Sequence, residues 1–227
     1  MTLDMTEIFD CNVPAELLSG MRLARSAIGR GELVVIPTDT VYGIAADAFN
    51  PAAVRALLAA KGRSRQSPPP VLIAGIATLE ALAESVSEPV RLLTEAFWPG
   101  GLTVIVQARQ SLAWDLGDTH GTVALRMPSD AIALDLLTEV GPLAVSSANL
   151  TGEPAAMSAH EARTSLGERI AVYLAGGETS SAVSSIVDAS AYDGTPGSIR
   201  IVRHGVIDEA QIRAVIGDDL ALSEKGS

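Results

Sequence analysis

Four short segments of the 227-residue chain gather side chains that could bind a small polar substrate, and each follows or interrupts an apolar run. Ligands of open α/β sheets collect at the carboxyl ends of strands, so these are the places to look for chemistry. Pro37-Thr38-Asp39-Thr40-Val41-Tyr42-Gly43 sets two hydroxyls, a carboxylate and a phenol within five residues. It reads either as a turn satisfying its own backbone or as a pocket floor. Lys61-Gly62-Arg63-Ser64-Arg65 holds three cations in five residues. One cation would suffice for the dipole of a helix C-terminus. Three, in a chain with only 16 Lys and Arg, suggest polyphosphate, which Arg contacts bidentately and Lys as a point charge. Arg126, alone in the apolar run Val123 to Met127, is a surface-edge residue or a carboxylate clamp. The run Val145-Ser146-Ser147-Ala148-Asn149-Leu150-Thr151-Gly152 places small hydroxyl residues where backbone and ligand can approach closely.

Other chemistries find no support. The chain has no GxxxxGK[ST] loop, GxGxxG fingerprint, HExxH or GxSxG elbow. His120, His160 and His204 lack metal-ligand spacing and read as surface or loop residues. Cys11 is the single cysteine, which excludes an intramolecular disulfide and argues against a zinc-cysteine cluster.

The elements that must position these groups follow from periodicity and punctuation. Leu17, Leu18, Met21, Ala24 and Ile28 predict a helix over about 14–30, followed by a buried strand at 33–36. Asn50-Pro51 starts a helix that runs to Lys61 and stops at Gly62. Residues 64–70, with three consecutive prolines, form a loop. Strands are expected at 71–73, 102–106, 122–127, 143–146, 171–174, 185–187 and 199–202, and helices at about 78–86, 89–97 and 131–140. Ser158 with Glu161 predicts a capping box, and Asp208 with Gln211 opens a last helix ending near Ile216. The alternation of helix and strand gives an α/β class, and adjacent late strands make the sheet mixed. One domain over 14–216 with a frayed tail over 217–227 is expected.

Apolar residues are 48% of the chain but aromatics only 4%, so the core is built from Val, Ile, Leu and Ala, as suits a helix-covered sheet. The acidic N-terminus and the lack of any long apolar run predict a cytoplasmic protein that neither enters nor spans a membrane. The net charge of −11 repels nucleic-acid backbones at long range, so an anionic substrate needs a local cationic cluster.

PTDTVYGIAADA, then KGR, FWPGGLTVIV, VALRMP, SSANLTGEPA, SSIVD and IVRHG, in this order over about 31–205, resemble the YrdC-like family of threonylcarbamoyl-AMP synthases in its single-domain bacterial type. The family's KxR and SxN signatures occur as Lys61 with Arg63 and Ser147 with Asn149. The resemblance implies a twisted mixed sheet flanked by helices around a concave substrate cleft. It implies synthesis of threonylcarbamoyl-AMP from L-threonine, bicarbonate and ATP with release of pyrophosphate, a nucleotidyltransferase reaction and the first step of threonylcarbamoyladenosine formation in tRNA.

By the same resemblance, Thr40, Arg126, Ser147 and Ser185 would bind threonine. Lys61, Arg63, Ser67, Thr122, Asn149 and Arg203 would bind the nucleotide, with Lys61 and Arg63 catalytic. Magnesium would be carried by ATP as co-substrate, without a protein metal site or a tightly bound prosthetic group. The partner implied is a tRNA threonylcarbamoyltransferase complex of TsaD/TsaB/TsaE type, with weak tRNA or double-stranded RNA binding also possible. Ser64, Ser67 with Pro68-Pro69, and Leu72 stand where the family commonly has Pro, Asn-Pro-Leu and His. These departures keep open a diverged paralogue with another carbamoyl or nucleotidyl activity; an RNA-binding module is the other alternative. Lys61, read as an exposed helix-end residue, is expected to be dispensable for folding.

Overall fold

A computed structural model of the chain describes residues 7–180 and 182–222. Among these residues a single mixed sheet of ten strands runs in the order β1-β8-β2-β3-β7-β4-β6-β5-β9-β10. The strands are β1 (Ile8–Asp10), β2 (Val34–Ile36), β3 (Gly43–Asp47), β4 (Val71–Leu72), β5 (Leu102–Gln107), β6 (Thr122–Arg126), β7 (Leu143–Ser147), β8 (Val172–Ala175), β9 (Ser185–Asp188) and β10 (Arg200–Arg203). The helices are α1 (Pro14–Gly29), α2 (Pro51–Lys61), α3 (Ile76–Leu82), α4 (Glu88–Phe97), α5 (Ala131–Val140), α6 (Ala159–Leu166) and α7 (Glu209–Ile216).

Strand alternation decides what each face carries. In β2, Val34 and Ile36 pack under α1 and α5, whereas Val35 joins the opposite cluster under α2 and α6. In β8, Val172 and Leu174 join the first cluster and Tyr173 the second. This half of the sheet is covered on both faces. The other half differs. Leu102, Val104 and Val106 of β5, Val123 and Leu125 of β6 and Val187 of β9 pack on one face with Leu79, Leu93 and Ile212 of α3, α4 and α7. The residues between them, Thr103, Ile105, Ala124 and Arg126, point to the other face, and there a cleft opens.

Local chemistry sets the helix ends. Asn50 Oδ1 accepts from the amides of Ala52 and Ala53, Pro51 fixes the first turn, and Gly62 ends α2 in the left-handed region at φ 67°. Asp208 and Gln211 form a full capping box. The box expected at Ser158 is half made: Ser158 Oγ accepts from the Glu161 amide, while the Glu161 carboxylate turns to the amide of Met157.

Several expectations are corrected. β1 and β3 are additional strands, and β1 places the start of the sheet ahead of residue 14. The helix expected at 78–86 lies at Ile76–Leu82. The tail is not frayed at its start: residues 217–219 form a 3-10 turn, and buried Leu220 bridges Ile199. Residues 223–227 of the expected tail lie outside the described residues. No helix among those described is long and apolar enough to cross a membrane.

Candidate active site

The cleft narrows to a cavity of about 160 Å³ whose lining includes Thr38, Thr40, Arg63, Leu72, Thr103, Arg126, Ser147, Ser184 and Arg203. That is below the usual 300–1,000 Å³ of a drug-sized pocket, a scale suited to an amino acid rather than a whole nucleotide. A wider groove of about 580 Å³ lies elsewhere, beside Leu33, Ala56 and Ile170. Its floor of small apolar residues offers no comparable set of converging polar groups.

Arg126, at the end of β6, is a buried cation on the cavity wall. Its Nε donates to the Gly100 carbonyl at 2.9 Å and its Nη1 to Thr40 Oγ1 at 2.9 Å. Nη2 lies 2.8 Å from Asp39 Oδ1 as an ion pair, yet it makes no well-directed hydrogen bond although it is buried. Asp39 also accepts from the Ser129 amide, so the guanidinium is held on three sides with donor capacity left over. Burial pushes its pKa down, which Asp39 opposes.

The hydroxyls beside it have a definite polarity. Thr38 Oγ1 donates to the Val41 carbonyl at 2.6 Å and accepts from the Thr40 amide at 3.2 Å. Its one proton is therefore spent, and its 3.1 Å contact with Thr40 Oγ1 must be a bond donated by Thr40. Thr40 in turn accepts from Arg126, which leaves it one lone pair and no proton. Thr40 faces the cavity as an acceptor, suited to an amine and not to a carboxylate.

Arg203 comes from the sheet edge. A bulge interrupts the β9–β10 register between Ile201 and Arg203, and bulges re-aim side chains. Its Nε and Nη2 donate to the carbonyl and hydroxyl of Ser184 at 2.9 and 2.7 Å. Gly205 permits this approach, because a Cβ there would strike the carbonyl of Val183. The pKa of Arg203 is lowered by burial and then by the charges of Arg126 and Arg63. Arg63 reaches the cavity from the far side, with Nη1 3.4 Å from Ser146 Oγ.

The structure thus brings Thr40, Arg63, Arg126, Ser147 and Arg203 to one cavity. The remaining candidates lie elsewhere. Lys61 is not exposed: at 1% accessibility its Nζ donates to the Ser147 and Asn149 carbonyls at 2.6 Å each and approaches Asn149 Oδ1 at 2.8 Å and Ser147 Oγ at 3.2 Å. Burial, then Arg63, lowers its pKa to about 8. Asn149 spends its amide on the Leu150 and Glu153 carbonyls. Lys61 and Asn149 therefore hold the end of β7 and are not among the residues lining the cavity.

Ser185 points with Val187 to the helix-covered face, and its hydroxyl closes on the carbonyl and amide of Ile207 at 2.6 and 3.0 Å. Its neighbour Ser184 lines the cavity in its place. Thr122 shares the open face with Arg126 but lies four residues along β6, roughly 13 Å away at strand rise, with its hydroxyl on the Thr119 carbonyl. Ser67 is exposed in the proline loop. Sequence reasoning missed Thr103 and Ser184, which the alternation of β5 and β9 would find; for Thr38 the structure bears out the turn reading, its hydroxyl being spent on local backbone groups.

A family model for Sua5, YciO and YrdC proteins, described as telomere recombination, matches residues 26–205. A Mycobacterium tuberculosis (strain ATCC 25618 / H37Rv) relative, provisionally named a threonylcarbamoyl-AMP synthase, is 50% identical over 218 residues, covering 96% of this chain and 98% of its own. The threonylcarbamoyl-AMP synthase of Bacillus subtilis (strain 168) is 38% identical over 95% of this chain and 60% of its own length. The crystal structure of Pyrococcus abyssi Sua5 complexed with L-threonine superposes with a TM-score of 0.83 at 31% identity, over 96% of this chain. The present chain spans 62% of that longer protein. Escherichia coli YciO, at 22% identity and a TM-score of 0.75, shares the fold. With its sheet order, cleft and signature residues in hand, the chain belongs to the Sua5/YciO/YrdC family.

Proposed function

We propose that the chain synthesises threonylcarbamoyl-AMP from L-threonine, bicarbonate and ATP. The observation that carries this reading is the convergence of three guanidiniums, from Arg63, Arg126 and Arg203, on one small cavity of a chain with net charge −11. The names of the 50%-identical relative and of the threonine complex support the substrate choice.

Each group has a role that its bonding permits. The spare donor of Arg126 takes the threonine carboxylate, and the acceptor-only Thr40 takes an N–H of the amine. The amine adds to carbon dioxide derived from bicarbonate; a C–N bond forms, a proton is released, and a carbamate results. An oxygen of that carbamate attacks the α-phosphorus of ATP, the bond to the β-phosphate bridging oxygen breaks, and pyrophosphate leaves with the electron pair. This chemistry is mostly positioning and charge stabilisation and needs no protein nucleophile.

Arg63 and Arg203 flank the open side of the cavity and offset charge on the phosphates. Lys61 and Asn149 hold Ser147 at the cavity wall, and the nucleoside extends along the open face towards Thr122. Magnesium travels with the ATP phosphates. The product passes to a tRNA-modifying transferase of TsaD/TsaB/TsaE type.

Pyrophosphate release by the purified protein with Mg-ATP, omitting threonine or bicarbonate in turn, tests the reading, with mass spectrometry for the adduct. Release that needs both co-substrates, with threonylcarbamoyl-AMP detected, is expected. Release indifferent to threonine would replace it with the diverged-paralogue reading, for which Leu72 on the cavity wall is the structural departure.

A further inference from the structure

Three neighbouring strands lay a row of unlike side chains across the cavity floor. Leu72 of β4 pairs with Arg126 of β6, and the antiparallel register that joins Val104 to Leu125 sets Thr103 of β5 on the other flank of Arg126. All three residues line the cavity. An amino acid whose carboxylate rests on Arg126 thus has an apolar wall on one side and hydroxyls on the other.

Those hydroxyls can be counted. Thr103 Oγ1 and Ser184 Oγ lie 3.0 Å apart, and Ser184 Oγ also accepts from Arg203 Nη2 at 2.7 Å. The two groups own two protons between them and use one in their mutual bond. Among the described residues neither hydroxyl has a further partner. Whichever of them donates to the other, one O–H remains for the cavity, together with two spare lone pairs. Both residues are nearly inaccessible, at 1% and 5%, so water satisfies this surplus poorly. A ligand hydroxyl, which accepts and donates through one atom, matches the surplus. A methyl in its place leaves a buried donor unpaired, which costs far more than a lost contact of similar shape.

We propose that Thr103 is a specificity-determining residue. It works with Ser184 as a hydroxyl pair that reads the β-hydroxyl of the amino-acid substrate, while Leu72 takes the β-methyl. This rests on the threonine-dependent activity proposed above. It differs from the carboxylate clamp of Arg126 and the amine contact of Thr40, which any amino acid would satisfy. Sites built to hydrogen-bond a substrate hydroxyl reject the isostere lacking it far more strongly than apolar pockets reject an added hydroxyl.

The test is amino-acid-dependent pyrophosphate release with L-threonine and with its isostere L-valine, in the full chain and in Thr103→Val and Thr103→Ser. The wild-type protein is expected to favour threonine in kcat/KM by roughly 100-fold or more. Thr103→Val is expected to lower that ratio at least ~10-fold through the KM for threonine, with the KM for ATP unchanged, and Thr103→Ser to retain it. Wild-type use of valine at nearly the threonine rate would overturn the proposal, even if Thr103→Val does not fold. So would a folded Thr103→Val with an unaltered ratio. If no amino acid supports turnover, the proposed activity itself fails; calorimetric affinities for threonine and valine then decide the pair by the same ratio.

Discussion

Lys61 Nζ lies 2.8 Å from Asn149 Oδ1 and 2.6 Å from the Asn149 carbonyl, so one residue from each family signature is locked onto the other. This buried ammonium has four oxygen neighbours at the end of β7. Lys61→Ala leaves acceptors of Ser147 and Asn149 unpaired and is expected to cost about 2–3 kcal/mol of stability. Urea denaturation checks this; an unmoved midpoint would return Lys61 to the role of a catalytic cation that folding does not need.

The same amine has a lowered pKa, about 8, because burial and the neighbouring Arg63 disfavour its charge. Between that value and the ordinary lysine range the unfolded chain keeps a proton that the folded chain has released. This group's contribution to stability therefore rises with pH through that window and falls away as pH drops through about 8. The positive charge behind the phosphate site declines over the same window, so kcat/KM for ATP should fall above pH 8. The sequence holds two lysines, Lys61 and Lys225. An NMR titration of their side-chain amines, assigned with Lys225→Arg, would show one inflection near 8; its absence contradicts the burial argument.

Arg126 spreads its donors over Gly100, Thr40 and Asp39 in a geometry that needs a planar fork. Lysine cannot reproduce it. Arg126→Lys is expected to raise the threonine KM by roughly 10–100-fold, the worth of a charge-assisted hydrogen bond, with a smaller effect on ATP. Equal losses for both substrates would show that Arg126 serves the cleft generally and not the carboxylate.

Adjacent serines give a sharper contrast. Ser184→Ala should weaken threonine binding, with a stability loss from the unpaired Arg203 Nη2 and Thr103 Oγ1 as well. Ser185→Ala should leave threonine binding intact and cost only stability, at about 1–3 kcal/mol for two stranded backbone groups at Ile207. Paired thermal melts and threonine titrations separate them, and a threonine defect confined to Ser185→Ala would refute the face assignment of β9.

Cys11 is buried, and desolvation followed by nearby Asp10 raises its thiol pKa to about 11. The thiolate is the reactive form. Native protein should therefore label with iodoacetamide only as fast as it opens, and added urea should accelerate the reaction. Rapid labelling without denaturant would mean that β1 detaches readily.

Much of this architecture was legible in the residues. Asn50-Pro51 and Gly62 fix α2, and the apolar runs locate eight of the ten strands within a residue or two. β3 escaped because Gly43–Asp47 has mostly small side chains and no run of large apolar residues, and its strand character comes from pairing with β2 and β7. β1 is a three-residue strand whose pairing with β8 is equally non-local. At the site, sequence identified the segments but not which side chains remain unspent. Ser185 lies one step off because period-two alternation gives the cavity to Ser184. Lys61 and Asn149 carry suitable chemistry, yet Lys61 is spent on Ser147 and Asn149, and the Asn149 amide on Leu150 and Glu153; the Lys61–Asn149 contact joins residues 88 positions apart.

The order of strands has a consequence for how the molecule is made. The cavity takes its lining from Thr38 through Arg203, and its last wall hangs on β9 and β10, the final strands to be synthesised. Chains emerge N-terminus first. A nascent or prematurely released chain lacking Arg203 can assemble the β2-β3-β7 region but leaves the cleft without one side. Competence to bind therefore arrives late in translation, and truncated copies are excluded from substrate by geometry alone.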